Sequence, residues 1–343
     1  MKLKSPKVIK EYLDKYVVSQ EAAKKILSTT VFAHTVKSLA HQSEDKKIPK
    51  SVPLIYGPTG CGKTYMIKTL CAGIGLPYIN ISAKDITAEG WKGDSVRTVL
   101  KNYIYKSATP EMMESKNFTD LQYGVIHIDE FDKICQGGDD DQISQHNKQQ
   151  QELWLNFIEG FEYELNLNSP FGTVPYLSRF DTSNLLIVLT GSFAHLDKYL
   201  EENKDKRTIG FSSEDSNVSP VLQDQLVECG MSRELIGRVS TVTRVNELTD
   251  KDLRSIIENS HGTYLVYKQL FDSIIDIKFS NKKLNKIAKQ AKDTNTGARA
   301  IHALVEKEIY ELLYDVDLSF IPELEEEIEN NEPVKEDEDE AVE

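Results

Sequence analysis

Eight consecutive residues, Gly57, Pro58, Thr59, Gly60, Cys61, Gly62, Lys63 and Thr64, constrain the fold of this chain more than any other segment. They follow the apolar run Val52 to Tyr56 and open a helical pattern from Thr64 to Ile74. The glycines let backbone N–H groups turn inward, and the helix N-terminus adds partial positive charge, so the turn is shaped to hold phosphate. Lys63 supplies a point charge for the terminal phosphates and Thr64 a hydroxyl for Mg2+. A strand, such a turn and a helix in this order imply binding of Mg-ATP at the edge of a parallel sheet.

A second segment, Val125-Ile-His-Ile-Asp129-Glu130, is an apolar strand ending in two acids. In a parallel sheet those acids emerge at the carboxyl edge, beside the phosphate loop. Asp129 can order Mg2+ through its water shell, and Glu130 can polarise the water that attacks the terminal phosphate. His127, inside the strand, reads as a satisfied core residue rather than a catalytic one.

Short apolar runs at Val52 to Tyr56, Tyr78 to Ile81, Val125 to Asp129, Leu185 to Thr190 and Thr241 to Val245 alternate with helical patterns. That alternation predicts an α/β fold whose parallel sheet is covered on both faces. Ahead of it, apolar positions recur at helical spacing in two runs, with Ser19 as a cap between them. From Leu248 onward the pattern is helical, and the last helix carries Ile301, Leu304, Val305, Ile309, Leu312 and Leu313 on one face. We therefore expect an α/β ATPase domain over residues 1–246, a small α-helical lid over 247–318 and an acidic, disordered tail over 319–343.

Of the formal charge of −14, the stretch from Glu323 to Glu343, with twelve acids and one Lys, carries −11 and leaves the body near −3. A nearly neutral body argues against a broad grip on nucleic acid, which needs clustered Lys and Arg. The four cysteines form no C-x-x-C pair, so neither a zinc site nor a disulfide framework is indicated. No segment reaches the ~20 apolar residues that span a bilayer, so a cytoplasmic protein without a membrane partner is expected.

Several segments together resemble the ClpX branch of the AAA+ ATPases, ring-shaped motors that unfold proteins for a partner peptidase. They are Tyr12-Leu-Asp-Lys-Tyr-Val-Val-Ser-Gln20-Glu-Ala-Ala-Lys-Lys, Gly57 to Thr64, Asp129-Glu-Phe-Asp-Lys-Ile134, Phe157-Ile-Glu-Gly160, Glu234-Leu-Ile-Gly-Arg238 and Thr296-Gly-Ala-Arg299. The resemblance implies that Val17 and Val18 flank the adenine and that Thr190 is the first sensor. It implies that Arg238 is the finger reaching a neighbouring subunit's nucleotide and that Arg299 is the second sensor. The implied assembly is a homo-oligomeric, hexameric ring, because a finger in trans has no use without a second subunit.

Gly90-Trp91-Lys92-Gly93 stands at the place of the family's axial pore loop. Trp91 keeps the aromatic paddle, and Lys92 departs from the aliphatic second position. Asp139-Asp-Asp141 suits either a second pore loop or a solvated turn. Ile209-Gly210-Phe211 stands where such unfoldases carry the loop that docks on a ClpP-like peptidase. Because the resemblance starts near the first residues, a motor without the family's zinc-binding domain is expected, and the stretch Asn168 to Asp181, the place of a basic pore-entrance loop, offers Arg179 and little else. The expected activity is ATP-driven unfolding and threading of protein substrates. The alternatives are a remodeller of nucleic acid or protein complexes, and a nucleotide-dependent switch acting without a peptidase.

Overall fold

The computed structural model describes residues 4–41, 50–86, 95–135, 141–168, 175–194, 196, 220–272, 274–294, 296–314 and 316. The chain divides into two compact units, residues 1–248 and 249–343. The first carries the strands β1 (Pro53–Tyr56), β2 (Tyr78–Ser82), β3 (Val125–Asp129), β4 (Glu162–Leu167), β5 (Tyr176–Asp181), β6 (Leu186–Gly191) and β7 (Thr241–Arg244). Five of them form one sheet in the order β2-β3-β6-β1-β7, with every neighbouring pair parallel. Each begins and ends within one residue of its apolar run in the sequence.

Strands β1 and β6 are buried along their whole length, as expected where helices cover both faces. On one face Leu54, Tyr56, Ile126, Ile128, Ile187 and Leu189 pack into a core with Trp154 and Phe157 from the helix Asp141–Glu159. The period of two puts Val125, His127 and Asp129 on the other face. The helix Lys63–Ile74, which buries Met66, Ile67, Leu70 and Cys71, packs against β3.

Strands β4 and β5 form a separate antiparallel hairpin. This corrects the expectation of a loop over Asn168 to Asp181: from Tyr176 onward that stretch is strand β5. Arg179 lies on it, 3.7 Å from Glu162 and 3.6 Å from Glu164 across the ladder. The sequence holds the signal in Glu162-Tyr-Glu-Leu-Asn-Leu, whose acids are exposed while Leu165 and Leu167 are buried.

Two helices, Pro6–Asp14 and Glu21–His41, precede the sheet. Ser5 caps the first through Val8 N. Ser19 is not the extended cap of the second: Ser19 and Gln20 take φ of 60° and 63°, and the helix starts at Glu21.

The second unit contains the helices Asp250–Glu258, Thr263–Leu270, Asn281–Asp293 and Ala298–Tyr314. Among its buried residues on these helices are Leu253, Ile257, Tyr264, Leu284, Ile287, Ala288, Ala291, Ile301, Val305 and Ile309. A reciprocal capping box between Thr249 and Asp252 starts the first of these helices. Among the described residues no helix is long and apolar enough to cross a membrane. Trp91, Lys92, Asp139, Asp140, Ile209, Gly210, Phe211 and the tail over 319–343 lie outside the described residues.

Candidate active site

The loop after β1 is built by backbone geometry. Gly57 has φ 140°, and a Cβ there would lie 2.3 Å from the Val245 carbonyl oxygen, so the close approach of β7's end excludes any side chain. Its N–H donates to the Gly191 carbonyl at 3.2 Å, tying the loop to the end of β6. Gly60 and Gly62 also take positive φ, and Gly62 begins the helix Lys63–Ile74 with no side-chain cap. A helix that starts so leaves its first N–H groups suited to an anion in the turn. Lys63 Nζ donates to the carbonyls of Gly57 at 2.7 Å and Pro58 at 2.8 Å, which holds the ammonium over the loop.

The acids at the end of β3 stand at the same sheet edge. Thr64 Oγ1 donates to Asp129 Oδ2 at 2.6 Å, Thr190 Oγ1 to Asp129 Oδ1 at 2.6 Å, and the Glu130 N–H to Asp129 Oδ1 at 2.9 Å. Burial pushes the Asp129 carboxyl up, but hydrogen bonds from Thr190 and Thr64 outweigh it and hold the group below its ordinary value. A charged carboxylate beside a hydroxyl is a hard-oxygen donor set that fits Mg2+. Glu130 turns the chain at φ 56° and is exposed at the strand end.

His127 is fully buried, 2.7 Å from Thr190 Oγ1 through Nε2 and 3.1 Å from the Tyr78 hydroxyl through Nδ1. Burial lowers its pKa to about 4, so the imidazole is neutral. Asp132, also buried, accepts from Ser192 N at 2.9 Å and Ser192 Oγ at 2.8 Å, which ties the turn after β3 to the turn after β6.

On the other side of the loop, Val17 is buried and Val18 half-buried, just before the left-handed pair Ser19 and Gln20. The Gln20 amide exchanges two 2.8 Å hydrogen bonds with the Asn246 backbone and reaches the Cys61 carbonyl at 3.5 Å. Lys24 donates to the Val17 carbonyl at 3.3 Å and to Asp14 at 2.5 Å. The turn carrying Val17 and Val18 is thus clamped to the phosphate loop and to the chain after β7. In the sequence Gln20 is one residue of a motif; its clamping role depends on partners 41 and 226 positions away.

Arg238 follows the short helix Arg233–Ile236 and is exposed, with its guanidinium on Glu159 at the end of the helix Asp141–Glu159. Gln151 of that helix donates to the Gly230 carbonyl and accepts from Ser232 N, so the helix carries the whole Arg238 segment. Arg299 is exposed in the first turn of the helix Ala298–Tyr314 of the second unit.

Residues 53–212 match the model of the ATPase family associated with various cellular activities, and residues 248–321 match the C-terminal, D2-small domain of ClpB protein. The chain is 32% identical over 329 residues to the ATP-dependent Clp protease ATP-binding subunit ClpX of Treponema denticola, covering 91% of this chain and 77% of that one. It is 28% identical over 331 residues to the protein of the same name from Borrelia duttonii, covering 92% and 75%. The parallel sheet, the phosphate loop and these matches agree, and the chain belongs to the ClpX family of AAA+ ATPases.

Proposed function

We propose that this ATPase is a ring-forming protein unfoldase and translocase whose hydrolytic centre is the cluster Thr64, Asp129, Glu130 and Thr190. The observation that carries the reading is the Asp129 carboxylate, with one oxygen held by Thr64 and the other by Thr190 at the carboxyl edge of the sheet. The loop N–H groups and Lys63 hold the phosphates of ATP, and Val17 and Val18 flank the adenine. Thr64 would hold Mg2+ by its hydroxyl and Asp129 through the ion's water shell, and the ion would supply positive charge against the outer phosphates. Glu130 takes the proton of a water as its oxygen attacks the terminal phosphorus and the bond to the ADP oxygen breaks. Thr190 orients that water or the terminal phosphate, and Arg238 stabilises the transferring group in the next subunit. Arg299 couples the helical unit to the nucleotide.

Threading is assigned to Trp91 and Lys92, and docking on a ClpP-like peptidase to Ile209, Gly210 and Phe211. Support comes from the named function of the two relatives, each a subunit of an ATP-dependent Clp protease. The test is unfolding of a fluorescent protein with and without ATP, run beside ATPase measurements with and without DNA. ATP-dependent loss of fluorescence, abolished by Glu130→Gln while ATP still binds, is expected. Stimulation by DNA with no unfolding would overturn the reading in favour of a nucleic-acid remodeller.

A further inference from the structure

Hydrogen bonds run without a break from Tyr78 on β2, through His127 on β3 and Thr190 on β6, to Asp129 and then Thr64. The direction of each bond follows from proton counting. The Thr190 hydroxyl has one proton and donates it to Asp129, so at its 2.7 Å contact with His127 it must accept. Nε2 of His127 therefore carries the hydrogen, and Nδ1 accepts from the Tyr78 hydroxyl at 3.1 Å. A valine at this place would avoid the desolvation that a wholly buried imidazole costs, and the neighbours Ile126 and Ile128 are apolar.

We infer that His127 is a positioning residue for ATP hydrolysis. By donating to Thr190 it turns the single hydroxyl proton onto Asp129 and leaves Thr190 no second orientation. Both carboxylate oxygens of Asp129 are then held, one from β6 and one from the helix after the phosphate loop. The inference rests on the reading that Thr190 and Asp129 serve hydrolysis.

Two measurements test it. Nitrogen-15 NMR of the histidine-labelled, nucleotide-free protein, with His127 assigned by its loss in His127→Gln, should report the Nε2–H tautomer; the Nδ1–H tautomer would overturn the inference. The second compares kinetics of His127→Leu, His127→Gln, Thr190→Val and the double variant His127→Leu/Thr190→Val, with thermal midpoints and nucleotide titrations as controls for folding and binding. His127→Leu should lower kcat about tenfold with KM for ATP within about twofold. His127→Gln, whose amide can still donate to Thr190, should recover most of that loss. The double variant should be no slower than Thr190→Val alone. A normal kcat in His127→Leu beside a low one in Thr190→Val would sink the role of His127 and leave Thr190 in place. Additive losses would sink it too. A normal kcat in Thr190→Val would sink the Thr190 reading and the inference together. Should His127→Leu fail to fold, the tautomer and the glutamine variant decide.

Discussion

Two glycines of the phosphate loop separate local strain from tertiary crowding. At Gly62 a Cβ would meet nothing within 4 Å, so Gly62→Ala bears just the strain of φ 87°, about 1–2 kcal/mol. At Gly57 the same methyl would press to 2.3 Å on the Val245 carbonyl, and Val245 N–H is itself bonded to Tyr56. Gly57→Ala should therefore part β7 from β1 and cost several kcal/mol, roughly 3 or more. Denaturant unfolding of the two variants checks the ranking, and equal losses would refute it. Lys63→Ala should fold normally and lose nucleotide binding, because the ammonium over the loop is gone; an unchanged affinity in a fluorescent-nucleotide titration would contradict its role. Sequence alone identified both glycines as turn residues. It could not rank them, since the atom that crowds Gly57 belongs to Val245, just past β7 and nearly two hundred positions away.

The two helices ahead of the sheet are joined by a charge cluster with a buried centre. Lys24, 2% exposed, contacts both Asp14 and Glu21, and Lys10 contacts the same two acids. Glu21 is held below the usual carboxylate range by Lys10 and Lys24; Asp14 is raised by burial but brought lower still by the same two lysines. Depressed folded-state values mean that these acids stabilise the fold fully above their unfolded pKa of about 4 and lose that contribution progressively as pH falls from there through their lower folded-state values. Lys24→Met should thus lower the thermal midpoint at neutral pH and lower it much less near pH 3. A penalty independent of pH would show that Lys24 acts by packing alone. The helices themselves were legible from apolar spacing. The left-handed turn between them was not, because Gln20 answers to Asn246 and Cys61 rather than to local propensity.

For the molecule as a whole, Arg238 is the residue that makes a single subunit insufficient under the proposed mechanism. In the isolated chain its guanidinium rests on Glu159, an exposed pair of the kind that contributes little to stability and is readily exchanged. Arg238→Ala should fold normally and lose ATP hydrolysis by about 10³-fold or more, the scale of an arginine finger. Mixing Arg238→Ala with Glu130→Gln subunits should recover activity where an intact finger meets an intact base. No recovery in rings shown to be mixed would argue against action in trans.

The sequence by itself determined the α/β class, the five strands of the parallel sheet and the helical character of the second unit, because hydrophobic period and glycine chemistry are local properties. It also brought the phosphate loop and the acids of β3 to one sheet edge, since parallel strands deliver their carboxyl ends together. The β4–β5 hairpin escaped because its short, half-exposed alternation is faint beside a buried strand's. The partners of Asp129, His127, Gln20 and Arg238 came from the tertiary structure alone. Which hydroxyl meets which carboxylate depends on strand order and register, and those are set by packing between segments that the chain keeps far apart.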